Sequence, residues 1–270
     1  MSYEQYLQDG QLSAALSTVE GQIRKQPADA KHRIFLFQLL LVQGKWERAA
    51  KQLDVIKKLD ASAIAMVQMY QAAISCELFR ESVFKATHDP MFLGQPEEWQ
   101  ALLLQAFKLD AQEKFQEAAS VRAKAFELAP ASPGTLDGHS FDWIADADMR
   151  LGPMLEMIVE GKYFWVAFEH IELLELEAPS DLRDLVWLPG HVRWRNGGEA
   201  YVLIPSRYPG SEREDDLALA RRTEWEEPVA GTFHGFGQRI LATDAEDFSL
   251  LDVRKINLGL NEVEGDKIEG

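Results

Sequence analysis

The first half of the chain contains a short pattern that recurs every 34 residues. Gly10 and Gly44 begin two copies, and Ala15 and Ala49 occupy the same place within them. A third copy puts its alanine at Ala118, 69 residues after Ala49, which is two such periods plus one. A repeat of this length predicts stacked helix pairs, because each pair leaves an apolar face that only the next pair covers.

The pattern resembles the tetratricopeptide repeat. A glycine forms the turn, an aromatic residue follows two positions later (Trp46, and Phe115 after Glu113), and a proline ends the unit at Pro27 and Pro130. The unit expected near residues 70–95 lacks the glycine, so we expect helices of altered geometry there. The alternative is an irregular helical bundle whose spacings agree by chance.

The sequence pattern changes after Pro130. Residues 131–138 are rich in helix breakers, and Leu151, Leu155 and Ile158 then follow helical spacing. Beyond residue 161, short aromatic and β-branched runs alternate with turns such as Asn196–Gly197. We therefore predict an α+β protein: helical repeats over 1–130, a linker and junction helix over 131–161, and a small β-barrel-like or bent-sheet domain over 162–270.

The charge of the chain is divided unevenly. Residues 1–130 hold 15 of the 28 basic and 16 of the 44 acidic residues, which leaves 13 basic and 28 acidic residues for 131–270. An acidic surface disfavours nucleic acid as a partner. The N-terminal residues lack the pattern of a signal peptide, no apolar run is long enough to cross a membrane, and Cys76 has no second cysteine to pair with. We expect a cytoplasmic protein without membrane insertion.

A search for catalytic groups identifies one candidate cluster. The six histidines show no metal-ligand spacing, whereas Asp142, Asp146 and Asp148 lie close together in sequence, near His139. These groups suggest either a metal-dependent hydrolase or, as the simpler interpretation, helix caps and ion pairs with Arg150. We expect no cofactor.

Three long segments resemble the signature segments of the ImpE family, whose members are also called SciE or TagJ. They are Phe-Asp-Trp-Ile-Ala-Asp-Ala-Asp-Met-Arg-Leu-Gly-Pro at 141–153, Asp-Leu-Arg-Asp-Leu-Val-Trp at 181–187 and Ile-Pro-Ser-Arg-Tyr-Pro-Gly-Ser at 204–211. The resemblance implies a non-enzymatic, cytoplasmic adaptor of the bacterial type VI secretion system. Its implied partners are the small subunit of the contractile sheath and the AAA+ ATPase (ClpV) that disassembles contracted sheaths.

A helical-repeat adaptor is expected to bind a helix or an extended segment on its concave side. Position in the repeat predicts the following partner-binding residues: Lys31, Ile34, Gln38, Leu41, Gln100, Leu103 and Phe107. A metal-dependent hydrolase and a purely structural scaffold remain the alternative functions.

Overall fold

The computed structural model describes residues 2–259 and places the helices before the sheet. The helices in this part of the chain are α1 Tyr3–Gln8, α2 Leu12–Lys25, α3 Ala30–Val42, α4 Trp46–Leu59, α5 Ile64–Phe84, α6 Glu98–Asp110, α7 Phe115–Leu128 and the short α8 Asp215–Ala218. Side chains cap three of them at the N-terminus: Ser2 accepts a hydrogen bond from the first turn of α1, Asp29 accepts from the first turn of α3, and Glu97 and Gln100 form a capping box at α6.

The predicted repeat positions share one backbone geometry. Gly10, Gly44 and Glu113 all have positive φ, at 70°, 64° and 60°. At each of these positions the same pair of hydrogen bonds closes the preceding helix, as in Gly44 N–H to Leu41 C=O and Lys45 N–H to Leu40 C=O. The alanines of the repeat, at 15, 49 and 118, are completely buried where helices cross.

The degenerate unit is one long helix followed by a loop. Helix α5 ends at Phe84, and Ala86 forms the same turn after it, with φ 52° and the same hydrogen bonds from Ala86 and Thr87. No helix follows directly; residues 85–97 instead contain the two-residue strand β1 Met91–Phe92. Helix therefore persists through residue 84, as expected, whereas the rest of the predicted unit is loop and β1.

The remaining strands form three sheets. They are β2 Gly134–Leu136, β3 His139–Phe141, β4 Ile144–Asp146, β5 Met154–Val159, β6 Lys162–Ala167, β7 Ile171–Leu176, β8 Trp187–Trp194, β9 Glu199–Pro205, β10 Thr223–Val229, β11 Thr232–Gly237, β12 Ile240–Thr243, β13 Asp247–Ser249 and β14 Lys255–Asn257. The largest sheet has the order β1-β6-β5-β9-β8-β7-β14-β2-β3, antiparallel except for β1 with β6. A three-stranded sheet, β13-β12-β4, and the hairpin β10-β11 complete the set.

The α+β class is confirmed, with an open sheet rather than a closed barrel. The nine strands end at β1 on one side and β3 on the other, and these two strands do not pair with each other in the described residues.

The predicted junction helix within 144–161 is wrong, because this segment contains β4 and β5. All six residues of β5 are buried. Met154 and Ile158 pack against the helices, whereas Leu155, Met157 and Val159 pack on the opposite face. A strand covered on both faces is apolar at nearly every position, so its spacing also fits a helix.

One hydrophobic cluster joins the helices to the sheet. Leu39 and Leu41 of α3 belong to the same buried cluster as Tyr163 and Trp165 of β6 and Trp187 of β8. The division at residues 130 and 161 stays a prediction, and residues 260–270 of the predicted β-rich domain lie outside the described residues.

Candidate functional site

The three signature segments meet at a buried interface between α5 and the sheet. Residues 141–153 supply Asp146 and Asp148, residues 181–187 supply Trp187, and residues 204–211 supply Arg207 and Tyr208. All five of these side chains are at most 5% exposed. Trp187 and Arg207 contact the helices directly, whereas Asp146, Asp148 and Tyr208 connect the strands and loops behind that contact.

Arg80 of α5 connects the helical layer to this interface. Its Nη1 lies 2.7 Å from Glu77 Oε1, one helical turn earlier, and its Nε lies 2.6 Å from Glu156 Oε1 on β5. Nη2 donates to Glu156 Oε2 at 2.9 Å and to the Arg207 carbonyl at 2.9 Å. Arg80 thus uses its planar fork to bind a helix carboxylate, a strand carboxylate and a loop at once.

Glu156 is the centre of the network and is completely buried. It pairs with Arg80 and Arg239 and accepts a hydrogen bond from the Tyr163 hydroxyl. Burial raises the pKa of a carboxyl group, but the charges of Arg80 and Arg239 outweigh burial and lower the pKa of Glu156 to about 2. Glu156 is therefore ionised throughout the neutral range.

Arg239 extends the network to the aspartates. It pairs with Asp146, whose Oδ1 also accepts the Tyr208 hydroxyl at 3.0 Å and the Asp148 N–H at 2.9 Å. Burial raises the pKa of Asp146 to about 6 despite this pairing. Asp148 is bound by Arg150 and by the Gly235 N–H at 2.9 Å, and although burial opposes its ionisation, the Arg150 charge lowers its pKa.

This pairing leaves the metal-dependent hydrolase without support. Asp146 and Asp148 each neutralise an arginine, whereas Asp142 and His139 are exposed and lie outside the network. In the described part of the chain, no group of three His, Cys, Asp or Glu side chains could hold a metal ion. The predicted ion pair with Arg150 is present at Asp148, whereas Asp146 pairs with Arg239 instead. Within residues 2–259, Asp142 forms no ion pair and none of the three aspartates caps a helix.

Trp187 forms the second contact between the helices and the sheet. Its ring stacks on Trp46 of α4, with centroids 5.9 Å apart, and on Tyr70 of α5 at 6.1 Å. Its indole Nε1 donates to Glu77 Oε2 at 3.0 Å, so the same glutamate binds both Arg80 and Trp187.

Arg207 performs a similar role at the end of α3. Its Nη1 donates to the carbonyl of Val42, the last residue of that helix, at 2.8 Å, and also to the carbonyl of Ala218. A cation at this end of a helix satisfies a free carbonyl and interacts favourably with the helix dipole. Burial lowers the pKa of Arg207 to about 10, so it remains charged at neutral pH.

The predicted concave face is mostly covered by the sheet. Five of the seven predicted partner-binding residues are buried, namely Gln38, Leu41, Gln100, Leu103 and Phe107. The Phe107 ring contacts Trp165 of β6 at 5.1 Å, and the Gln100 side chain caps its own helix. Only Lys31, which is exposed, and Ile34, which is half-buried, offer surface to another molecule.

Sequence reasoning missed Glu77, Arg80, Glu156 and Arg239, the four charged residues that connect the interface. A signal was present, because Glu156 interrupts the apolar run Met-Leu-Glu-Met-Ile-Val and Arg239 precedes Ile-Leu-Ala. A single charge inside an apolar run is a candidate for a buried ion pair. Cys76 is buried as expected, donates to the Gly161 carbonyl, and burial raises its pKa to about 11.

Together these features define a class of protein in which helical repeats pack on one face of an open sheet and a buried ionic network joins the helices to the sheet. The sequence model of the ImpE protein family matches residues 138–257. The chain is 48% identical to the type VI secretion system accessory component TagJ of Pseudomonas aeruginosa, over 95% of this chain and 91% of that protein. The chain therefore belongs to the ImpE family, which includes TagJ.

A solved structure shows the same fold. The crystal structure of protein VPA1032 from Vibrio parahaemolyticus matches with a TM-score of 0.87 at 24% identity, covering 94% of this chain and 96% of the other. Among residues 2–259, none of the helices combines the length and apolar character that crossing a membrane requires.

Proposed function

We propose that this protein is a non-enzymatic accessory component of a type VI secretion system, acting as an adaptor in the cytoplasm. The observation that carries the proposal is the 48% identity to TagJ over almost the whole chain. The pairing of the buried aspartates with arginines supports a structural rather than a catalytic role for them.

The proposed partners are the small subunit of the contractile sheath and the AAA+ ATPase that disassembles contracted sheaths. The test is calorimetric titration of the purified protein with each purified partner, followed by the two partners together. Binding of the sheath subunit at a 1:1 ratio, and recovery of all three proteins in one complex, are the expected results. Absence of binding to the sheath subunit, or absence of binding to the ATPase, would refute the adaptor role.

We propose that the accessible part of α3, at Lys31 and Ile34, contributes to binding of the sheath subunit. The other five predicted residues are buried and act by maintaining the fold. We expect Lys31→Ala combined with Ile34→Ala to weaken sheath-subunit binding by about tenfold, the usual effect of losing one apolar contact and one charge.

The matched control for this variant is Lys51→Ala, at an exposed lysine on the neighbouring helix α4. Thermal unfolding of each variant shows whether the fold is retained. Unchanged affinity of the Lys31/Ile34 variant would move the contact away from α3 without contradicting the adaptor function.

A further inference from the structure

An apolar recess lies where the end of α7 approaches β4, and we call it the β4 recess. It has a volume of about 470 Å³. Its lining includes Phe126, Pro130, Trp143, Ile144, Met149 and Pro153. The Trp143 side chain is 41% exposed, although burial of an indole is strongly favourable. A volume of this size accommodates a large apolar side chain together with part of its main chain.

One wall of the recess is the free edge of a sheet. Strand β4 is the end strand of β13-β12-β4 and pairs only with β12 among residues 2–259. Ala147 N–H donates to Ile240 on the β12 side, so the alternation of an antiparallel ladder turns the N–H and C=O of Ile144 the other way. On the same side, the Asp146 N–H already donates to the Gly152 carbonyl at 2.7 Å, so Ile144 supplies the open backbone groups of this edge. Open backbone groups on a strand edge can pair with an added extended segment.

The surroundings of the recess are acidic. Asp142, Asp244 and Asp247 are exposed, and none of them forms an ion pair within the described residues. Asp244 Oδ1 accepts the N–H groups of Asp142 at 2.7 Å and Trp143 at 3.4 Å. This contact fastens the β12–β13 turn to the loop that carries Trp143, so the carboxylates and the indole are held together beside the recess.

We infer that the β4 recess binds an extended, basic segment of a partner protein. The main chain of that segment pairs with Ile144 at the free edge of β4. One of its apolar side chains enters the recess against Trp143 and Phe126, and lysine or arginine side chains on either side pair with Asp142 and Asp244. The inference rests on the proposed adaptor function only in assigning the segment to a protein partner.

The observations favour an extended segment over a helix. A helix satisfies its own backbone groups and gains nothing from the N–H and C=O groups of an open strand edge. Alternating side chains of an added strand reach the recess and the solvent in turn, which suits one apolar anchor between basic neighbours.

The test is selection of ten-residue peptides from a random display library on the purified full-length protein, followed by calorimetry with the enriched peptides. We expect enriched sequences in which apolar residues alternate with Lys or Arg, and binding that weakens as NaCl concentration rises. Enrichment of acidic peptides, of peptides with apolar residues at helical spacing, or of none would overturn the inference.

Two pairs of variants locate the site. Trp143→Ala should raise the Kd of an enriched peptide about tenfold or more, as expected for an aromatic anchor. Trp225→Ala should leave the Kd unchanged, since Trp225 on β10 is equally exposed at 40% and does not line the recess. Asp142→Lys should weaken binding, whereas Glu47→Lys at an exposed position on α4 should not.

Equal affinity of the Trp143→Ala variant and the unaltered protein would contradict the site. The selected peptides come from no secretion component, so this result does not depend on the titrations with the sheath subunit and the ATPase. If the protein binds the selected peptides but neither the sheath subunit nor the ATPase, the proposed function alone is refuted. If it binds those partners but Trp143→Ala leaves peptide affinity unchanged, the recess alone is refuted.

Discussion

Glu156 and the two arginines that it binds determine how the helices are attached to the sheet. Arg80 lies on α5 and Arg239 in the segment before β12. Both guanidinium groups pair with the Glu156 carboxylate, which has no contact with solvent. A buried ion pair contributes little net stability when complete, but losing one partner leaves an uncompensated charge in a medium of low dielectric constant. The network therefore makes the arrangement specific, because other packings would leave these charges unpaired.

We predict that Glu156→Gln lowers the free energy of unfolding by roughly 3 to 5 kcal/mol, because the buried network loses one of its negative charges. Within the described residues, Arg80 then pairs only with Glu77, and Arg239 only with Asp146. The measurement is urea denaturation at pH 7, with Glu117→Gln on the exposed face of α7 as the control. A loss no larger than that of the control would contradict the central place of Glu156.

The loss of stability caused by Glu156→Gln should depend on pH. The folded-state pKa of about 2 lies below the ordinary value of 4.5, so the stabilisation from ionised Glu156 is complete above about pH 4.5 and is lost as the pH falls towards 2. This shift corresponds to about 3 kcal/mol. The difference between the unaltered protein and Glu156→Gln should therefore narrow across that window, and a constant difference would argue against the depressed pKa.

At the scale of elements, the turn between paired helices is the unit that repeats. Gly10 and Gly44 adopt left-handed backbone geometry without steric cost, whereas Glu113 adopts the same geometry with a side chain. The hydrogen bonds that end the helices are the same in each case, so the helix pair imposes the turn whether or not glycine is present.

We predict that Glu113→Gly raises the free energy of unfolding by about 1 kcal/mol, because it removes the strain of an exposed side chain at φ 60°. Gly44→Ala should lower it by at least about 1 kcal/mol, since φ is 64° and the added Cβ would lie 3.1 Å from Glu212 Cγ. Chemical denaturation of both variants provides the measurement. Changes of the same sign would contradict the shared turn geometry.

At the scale of the whole molecule, the sheet covers the face that helical repeats usually leave open. Leu103 and Phe107 of α6, Tyr70 of α5 and Trp165 and Trp187 of the sheet lie in one buried cluster. Packing of this extent joins the two halves energetically, so the helices lack a separate core of their own on that side.

We predict that the helices and the sheet unfold together. Urea denaturation followed by far-ultraviolet circular dichroism, which reports mainly on the helices, should give the same midpoint as tryptophan fluorescence. Five of the seven tryptophans that contribute to the fluorescence follow residue 130, and Trp46 and Trp99 lie in helices. Trp187→Ala should shift both midpoints equally. Two separated transitions would instead support independent domains divided near residue 130.

The sequence alone determined the features that depend on local periodicity. The 34-residue recurrence and its left-handed turns predicted the helix pairs, because Gly and Ala at fixed offsets are required by the backbone itself. The three signature segments identified the family for the same reason, since each is a continuous string of residues.

Only the tertiary structure decided which faces are covered. The apolar spacing of Leu151, Leu155 and Ile158 predicts a helix where the structure has β5, because both faces of β5 are buried and this removes the alternation that identifies a strand. Position in the repeat marks an apolar face on α3 and α6 but not what covers it, and the fold buries five of the seven residues predicted there. The ion network combines residues as far apart as 80, 156 and 239, and charges at such separations find their partners only after the chain has folded.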